Sequence, residues 1–372
     1  MGENAKKERP VRLPNIFEAV LPILVMMVLM IYGFVGGGDY TDAHMPLVIS
    51  IAVACIIGGI CGHSFSDMLA GMLDRLNATM EAILILCTVG ILVATFIMSG
   101  TIPALIYYGL DLLTPSLFLP VGCLMVSIVS LACGSSWTAT ATIGIAFLGI
   151  GAGLGINPAL TAGMVISGAY VGDKFSPLSD TTNLAAAVAQ TGLFDHVTAM
   201  ISTTAPTFII SLILYTILGL NIDTSNFDAS VATDLQHALA EGFNLNPLVL
   251  LPIAVIIVVC ILKMPGLVGI AISVGVGILC TMVFQGMHSV SDLFNTLHYG
   301  ITLESSNDLA NELLSRGGMD SQMWTINLIL LAVAYGGALE RCGCIETLFG
   351  KLKHKLHSVG SLILATLLTS LF

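Results

Sequence analysis

The residues best suited to chemistry form one short polar segment, residues 172–183, which lies between two apolar runs. It reads Gly-Asp-Lys-Phe-Ser-Pro-Leu-Ser-Asp-Thr-Thr-Asn. Carboxylate, hydroxyl and amide oxygens are the ligands that hard cations prefer. The flanking apolar runs, residues 158–170 and 184–188, are each too short to cross a bilayer, because a span needs about 20 residues. We therefore predict a broken or re-entrant helix whose break lies at membrane depth.

Within this segment, Ser176 and Pro177 indicate where a helix resumes, since serine is a common N-cap and proline a common first helical residue. A break of this kind exposes backbone carbonyls to a cation and backbone amides to an anion. We expect Asp180 and Asp173 to exchange protons, because burial disfavours the charged carboxylate. The predicted cation or substrate site comprises Asp173, Ser176, Ser179, Asp180, Thr181, Thr182, Asn183, Ser135, Ser136 and Thr138. Asp180, Thr181 and Asn183 are its predicted Na⁺ ligands.

A second polar stretch, residues 134–142, carries hydroxyl side chains through apolar surroundings. They belong to Ser135, Ser136, Thr138, Thr140 and Thr142. Each hydroxyl is a candidate ligand or, alternatively, a donor to a carbonyl of its own helix. The following glycines, among them Gly149 and Gly153, favour close helix packing. No G-x-G-x-x-G motif follows a strand, so a nucleotide-binding loop is not indicated.

Simpler interpretations of the charged groups remain open. Residues 172–183 can instead form a cytoplasmic loop in which Asp173 and Lys174 make a solvated surface pair. Glu340 and Arg341, at the end of an apolar run, are interpreted as an interfacial pair rather than as ligands. Four histidines, His63, His288, His354 and His357, are interpreted as interfacial or solvated rather than metal-binding.

Composition determines the class of protein that must position these groups. The chain has 372 residues, of which 56% are hydrophobic and 9% charged, whereas soluble domains average roughly 25% charged residues. Twelve Lys and Arg residues against 23 Asp and Glu leave no basic face, which excludes a nucleic-acid binder. Most of the nine cysteines lie in apolar runs, so we expect free thiols rather than a disulfide framework.

Nine apolar runs are predicted to be membrane-spanning helices: residues 16–35, 46–62, 82–100, 117–133, 197–220, 248–262, 267–284, 324–339 and 359–372. Only helices and closed barrels satisfy the backbone in lipid, and the alternating pattern of barrel strands is absent. No small-residue cleavage pattern follows the first run, so a signal peptide is not expected. The predicted fold is an all-α polytopic membrane protein.

The distribution of charge predicts the orientation. With the N-terminus in the cytoplasm, ten of the twelve basic residues lie inside, leaving Lys174 and Arg316 as exceptions. The loop around Arg75 then faces the cytoplasm, and the acidic stretch of residues 221–246 faces out. No cofactor is predicted, and the expected partner is the lipid bilayer.

Three pairs of segments recur in the same order, which predicts an internal duplication. Residues 21–23 recur at 251–253, 55–67 at 280–292, and 99–105 at 342–348. The charge-based topology makes the two copies antiparallel, as in the inverted repeat of a secondary transporter. The predicted organisation is a cytoplasmic N-terminus (1–15), a first inverted repeat with the broken-helix ion site (16–220), an acidic external loop (221–246) and a second repeat (247–372). The counterpart of residues 134–183 would fall beyond Phe372, so we expect the second repeat to be incomplete.

Four stretches together resemble the NhaC family of sodium/proton antiporters: residues 134–138, 144–158, 167–184 and 315–319. The Gly-Asp-Lys-x-Ser-Pro-Leu-Ser-Asp-Thr-Thr-Asn segment is the most specific of them. The resemblance implies a bacterial or archaeal inner-membrane transporter of Na⁺ and H⁺, often a homodimer, with scaffold and transport parts and elevator-type motion. It also implies that family members continue past Phe372 with a second broken segment.

Four functional hypotheses follow. In Na⁺/H⁺ antiport, protonation of Asp180 or Asp173 competes with Na⁺ binding. In Na⁺/H⁺-coupled exchange of small carboxylates such as malate and lactate, the helix start at Pro177 and nearby hydroxyls receive the anion. An intramembrane hydrolase using Ser136, Asp180 and His196 is disfavoured, because no G-x-S-x-G or H-E-x-x-H motif occurs. A truncated subunit that only assembles with a partner is the fourth.

Overall fold

The fold is known from a computed structural model. It describes residues 11–34, 42–176, 179, 181–182, 185–186, 191–222, 229–262, 264, 266–353 and 360. Every regular element in these ranges is helical, which confirms the all-α prediction. The α-helices are α1 (Ile16–Phe34), α2 (His44–Ile60), α3 (Phe65–Met98), α4 (Thr101–Leu112), α5 (Pro115–Cys133), α6 (Ser136–Ala139), α7 (Ile145–Gly153), α8 (Pro158–Phe175), α9 (Leu193–Leu220), α10 (Ala229–Gly242), α11 (Leu251–Ile261), α12 (Gly266–Phe284), α13 (Val290–Tyr299), α14 (Asp308–Leu314), α15 (Met323–Arg341) and α16 (Cys344–Lys353).

Several of these helices can cross a membrane. Within the described ranges, five are long and apolar enough, or up to seven if each of two bent pairs forms one span. The five include residues 136–153, which join α6, a π-helix (Thr140–Gly144) and α7. The chain is therefore a multi-pass membrane protein, as its composition predicts. The predicted last run, residues 359–372, lies almost wholly outside the described residues.

The chain divides into two compact units, of which the first comprises residues 1–83 and 324–372. Here α1 packs against α2 and α16 around a core that includes Met68, Tyr335 and Ala338. Helix α3 begins with a capping box, because Ser64 Oγ accepts from the Asp67 amide at 3.1 Å and the Asp67 carboxylate accepts from the Ser64 amide at 3.0 Å.

Two predictions about charged residues in the first unit are wrong. Arg75 lies within α3 rather than in a loop. Glu340 and Arg341 do not pair with each other, since Glu340 pairs with Arg75 and Arg341 lies 3.9 Å from Asp67. The reason is close helix packing: a Cβ atom on Gly71 would lie only 2.6 Å from Arg341 Cβ. This approach brings the charged ends of α3 and α15 together.

The second unit, residues 84–323, contains α5 and α8 packed side by side. Gly122 faces Met164 near one end of the pair, and Leu131 faces Gly172 near the other, so the two helices run parallel. The connection between them, α6 to α7, therefore runs back in the opposite direction. Consequently the C-terminal ends of α5 and α8 and the start of α6 lie at the same end of this packed group.

Within the predicted acidic loop, residues 221–246, the described part contains a helix, α10, over residues 229–242. This helix packs against α4 and places Leu235 and Leu239 in the core, while Asp234 and Glu241 are exposed. Buried leucines four residues apart, among exposed acidic residues, are the pattern of an amphipathic helix. The sequence analysis gave weight to the acidic residues and overlooked this pattern. Residues 230–242 and 247–259 form one of the bent pairs, with an angle of 94°.

The segments paired by the repeat prediction have similar local geometry. Gly100, between α3 and α4, has φ +82°, and Gly343, between α15 and α16, has φ +80°. In each elbow the flanking side chains touch: Ser99 Oγ lies 2.8 Å from Thr101 Oγ1, and Cys342 Sγ lies 2.9 Å from Cys344 Sγ. A left-handed glycine permits both reversals. These parallels accord with duplication, although the repeat boundaries stay a prediction.

The seven cysteines whose side chains the structure describes are free thiols, as expected. Gly149 and Gly153 also behave as predicted, because each allows a close approach between helices. A Cβ atom at these positions would lie 2.4 Å from Ile106 Cδ1 and 2.8 Å from Leu110 Cδ2, respectively. Both contacts join α7 to α4.

Candidate functional site

The chain leaves helix α8 at Ser176, inside the segment where a break is predicted, but the predicted helix start at Ser176 and Pro177 is wrong: Ser176 ends α8, Ser179 is not helical, and helical residues are next found at Thr181 and Thr182. Helix α8 ends at Phe175, and Ser176 has extended backbone angles, φ −84° and ψ 122°. Its amide donates to the Asp173 carbonyl at 3.1 Å, and the Ser179 amide donates to the Ser176 carbonyl at 3.2 Å. Pro177 and Leu178 lie outside the described residues.

Asp173 is the central charged group of the described site. Its side chain sits in the last turn of α8 and is only 4% exposed. The Thr181 hydroxyl donates to Asp173 Oδ2 at 3.1 Å and lies 2.9 Å from Ser179 Oγ. The interpretation of Asp173 and Lys174 as a solvated surface pair is therefore wrong for Asp173, although Lys174 itself is exposed.

The chain folds back over the end of α8 after the break. Thr182 Oγ1 donates to the Asp173 carbonyl at 3.4 Å, and the Thr182 amide donates to Ser179 Oγ at 3.4 Å. Ser176, Ser179 and Thr182 are buried, whereas Thr181 is exposed. Thr181 therefore lies between the buried carboxylate and the exposed side of the site.

Two predicted ligands, Asp180 and Asn183, lie outside the described residues. Of the predicted Na⁺ ligands, the structure places only Thr181, in contact with Asp173. The assignment of Asp180 and Asn183 stays a prediction from the sequence.

The second polar stretch begins at another break. Gly134 is left-handed with φ +63°, and Ser135 caps α6 by accepting from the Thr138 amide at 3.3 Å. Ser136 and Thr138 are buried, but among the described residues no hydrogen bond joins them to Asp173. Thr142 donates to the Thr138 carbonyl at 2.7 Å, which confirms the alternative of bonding within the helix for that residue.

Residues 140–144 adopt a π-helix, which the sequence did not predict. Single π-turns inside α-helices occur frequently at functional sites. The pattern of apolar and polar residues in this stretch is the same for a π-turn as for an α-turn. The sequence therefore gives no signal for the π-helix.

Two serines of α5 support the site and were missed by the sequence analysis. Ser130 Oγ donates to the Ala169 carbonyl of α8 at 2.5 Å. A Cβ atom on Gly172 would lie 2.1 Å from the Ser127 carbonyl, so the backbones are in direct contact just before Asp173. The signal was available, since Ser127 and Ser130 face one side of α5 one turn before its end.

Arg316, an exception to the charge-based topology, lies in a loop of the second unit. Gly318 of the same loop donates its amide to the Gly90 carbonyl of α3 at 2.9 Å. Burial lowers the pKa of the Arg316 guanidinium, while Glu312 opposes this effect. Its Nε atom is buried and has no hydrogen-bond partner in the described ranges.

The hydrolase hypothesis gains no support from the geometry. His196 Nε2 is buried and has no hydrogen-bond partner within the described part of the chain. It is therefore not placed as a base for the Ser136 hydroxyl, which lies on α6.

A multi-pass helical membrane protein with a buried carboxylate at a broken helix has the architecture of a secondary transporter. The sequence model of the Na⁺/H⁺ antiporter family matches residues 168–372, and this chain belongs to that family. Residues 168–372 include the broken segment and Asp173.

Three relatives illustrate the range of named activities. The Na⁺/H⁺ antiporter NhaC of Alkalihalophilus pseudofirmus is 37% identical over 89% of this chain and 71% of its own length. The malate-2H⁺/Na⁺-lactate antiporter of Bacillus subtilis is 34% identical over 97% of this chain and 77% of its own. The arginine/ornithine antiporter of Halobacterium salinarum is 37% identical over 97% and 74%, respectively. No solved structure matches this chain.

Proposed function

We propose that this protein exchanges Na⁺ for H⁺ across the cytoplasmic membrane, with its N-terminus in the cytoplasm. The observation that carries the proposal is Asp173, a buried carboxylate in contact with the Thr181 hydroxyl at the end of a broken helix. Membership of the Na⁺/H⁺ antiporter family supports the choice of ions. The proposed orientation rests on the distribution of Lys and Arg.

Exchange follows from competition at one site. A buried carboxylate is costly unless a proton or a cation neutralises it. Asp173 can therefore hold either H⁺ or Na⁺. Release of the two ions to opposite sides of the membrane couples their flows. When Na⁺ is bound, the Thr181 hydroxyl turns its oxygen toward the ion. Backbone carbonyls in the last turn of α8 that do not already accept a hydrogen bond supply further hard ligands.

Asp180 and Asn183 complete the proposed ligand set. Their positions in the polar segment place a second carboxylate and an amide close in sequence to Thr181.

The test replaces Asp173 by asparagine and measures Na⁺-driven proton movement and ²²Na⁺ uptake in membrane vesicles. We expect Asp173→Asn to abolish both, because the amide cannot take up a proton. Asp195→Asn is the matched control, since Asp195 is an exposed carboxylate on the first turn of α9, and we expect it to keep the parent activity. Parent-level exchange in the Asp173→Asn protein would remove Asp173 from the mechanism.

A parallel variant, Asp180→Asn, tests the second proposed carboxylate. We expect loss of pH-dependent ²²Na⁺ flux at a level of membrane insertion equal to that of the parent. Flux that retains the parent's pH dependence would leave Asp173 as the proton carrier without Asp180.

A second candidate function is Na⁺/H⁺-coupled exchange of small carboxylates. It is favoured by the 34% identity to the malate-2H⁺/Na⁺-lactate antiporter. On this proposal, Ser135, Ser136 and Ser176 contribute hydroxyl donors to the anion. Adding malate or lactate outside sodium-loaded vesicles distinguishes the two functions. Stimulated Na⁺ flux supports carboxylate exchange, and unchanged flux supports simple Na⁺/H⁺ exchange.

A further inference from the structure

A pair of buried thiols occupies the elbow between α15 and α16. Cys342 Sγ and Cys344 Sγ lie 2.9 Å apart, and neither residue is exposed to solvent. Cys342 Sγ also donates to the Leu339 carbonyl at 3.5 Å. Nothing in the proposed ion-exchange site uses these residues.

The backbone of the elbow brings the two sulfur atoms together. Gly343, with φ +80°, reverses the chain between the cysteines, so their side chains lie on the same side. A disulfide requires an S–S distance of about 2.05 Å, so closing the pair needs a movement of less than about 1 Å.

The corresponding elbow in the first half uses oxygen where this one uses sulfur. Ser99 and Thr101 flank Gly100, and their hydroxyls share a hydrogen bond of 2.8 Å. Thr101 Oγ1 also donates to the Val249 carbonyl. An elbow of this shape therefore forms with hydroxyl side chains on either side of the glycine. The shape of the elbow alone does not explain why thiols occupy the positions of Cys342 and Cys344.

The segment before α1 lies against the elbow. A Cβ atom on Gly343 would lie 2.8 Å from Leu13 Cδ2 and 3.3 Å from Pro14 Cδ, so the segment before α1 closes over the elbow. Leu13 is itself exposed. The Thr347 hydroxyl ties α16 to this segment by donating to the Pro14 carbonyl at 3.0 Å. The Arg12 amide donates to the Cys61 carbonyl at 2.9 Å, so access of an oxidant to the sulfur atoms requires a local opening that breaks these hydrogen bonds.

We propose that Cys342 and Cys344 are a redox-active pair that hydrogen peroxide converts into a reversible disulfide. One thiol attacks peroxide to form a sulfenic acid and releases water. The second sulfur displaces the hydroxyl group, which leaves with a proton as a second water molecule. A low-molecular-weight thiol, itself oxidised to a disulfide, restores both cysteines.

Oxidation fixes the angle of the elbow. The new bond closes a small ring through Gly343 and removes the backbone freedom that this glycine provides. Helix α16, which packs against α1, is then held in one orientation relative to α15. This property is separate from the proposed ion exchange and does not depend on it.

The test treats membranes containing the whole protein with hydrogen peroxide, alkylates the remaining thiols and analyses the peptides by mass spectrometry. We expect a Cys342–Cys344 disulfide, seen as the loss of two hydrogen atoms, that dithiothreitol reverses. Thiols that stay reduced would overturn the proposal, as would a disulfide that instead joins Cys55 or Cys61 to the pair.

Two variants make the result specific. Cys342→Ser with Cys344→Thr copies the side chains of the first elbow, so it keeps the fold, and we expect it to show no reversible two-hydrogen loss. Cys61→Ser removes another buried thiol of the same unit, and we expect it to oxidise like the parent. Undiminished two-hydrogen loss in the double variant would contradict the assignment.

Discussion

At the scale of residues, the site depends on the arrangement of two hydroxyl side chains beside one carboxylate. The Thr181 hydroxyl donates directly to the Asp173 carboxylate. The Ser179 hydroxyl lies beside the Thr181 hydroxyl and so reaches the carboxylate only through it. Because Thr181 is exposed while Asp173 is buried, an ion approaching the carboxylate meets the Thr181 oxygen first. We therefore assign Thr181 a direct role in Na⁺ binding within the proposed function.

Thr181→Val tests this role. We expect the half-saturating Na⁺ concentration to rise by roughly tenfold, because a hydrogen bond to a charged group contributes about 1.5–3 kcal/mol and 1.4 kcal/mol corresponds to tenfold. Thr181→Ser keeps the hydroxyl and should bind Na⁺ like the parent. The readout is Na⁺ dependence of exchange in vesicles. Equal Na⁺ affinity in the valine variant would mean that Thr181 is not a ligand.

At the scale of elements, the site depends on how closely α8 approaches α5. A Cβ atom on Gly168 would lie 2.5 Å from the Cys123 carbonyl, whereas one on Gly163 would meet nothing nearer than Tyr215 Oη at 3.7 Å. Gly168 is therefore needed for the close approach of α8 to α5, whereas Gly163, in the same helix, has room for a side chain. Small residues at one face are what close packing of membrane helices requires.

Gly168→Ala tests the packing. We expect it to destabilise the protein by about 1–3 kcal/mol, because the added methyl group forces the helices apart. Gly163→Ala, for which space exists, should be neutral or slightly stabilising. The measurement is the melting temperature of the detergent-solubilised protein. A parent-like melting temperature for Gly168→Ala would show that the α5–α8 contact yields without cost.

A third element-scale prediction concerns the start of α6. Ser135→Ala removes the side chain that accepts from the Thr138 amide. Loss of an N-cap costs about 1 kcal/mol, so we expect a modest drop in melting temperature. Ser135→Asp, which caps as well as serine, should restore stability. If alanine leaves the melting temperature unchanged, the cap contributes nothing to the fold.

The sequence predicted those features that follow from local chemistry. Apolar runs of half length correctly indicated that a helix is interrupted near Ser176, but serine before proline was wrongly interpreted as the start of the next helix, since Ser176 ends α8 and Ser179 is not helical. The pairing of Thr181 with Asp173 was not predictable, because the return of the chain over α8 depends on packing. The amphipathic α10 was missed because its acidic residues were read as an external loop. Arg75 was assigned to a loop for the same reason, since charge was weighted above helical continuity.

At the scale of the whole molecule, the orientation in the membrane is a prediction that labelling can test. The exposed residues Asp74 and Asp234 lie on α3 and α10, on segments that the distribution of basic residues assigns to opposite sides. We expect Asp234→Cys to react with a membrane-impermeant maleimide added to intact cells, and Asp74→Cys to react only after the membrane is opened. The parent chain measures the background from its natural thiols. The reverse pattern would invert the topology.

The parallel arrangement of α5 and α8 has a consequence for biogenesis. The parts that surround Asp173, from Pro115 to Ala186, form one uninterrupted stretch of chain. The contacts described around Asp173 join residues within this stretch, and chains fold progressively from the N-terminus during synthesis. We expect the packing around Asp173 to form while the ribosome is still translating the later helices, so that those helices insert beside a site that has already assembled.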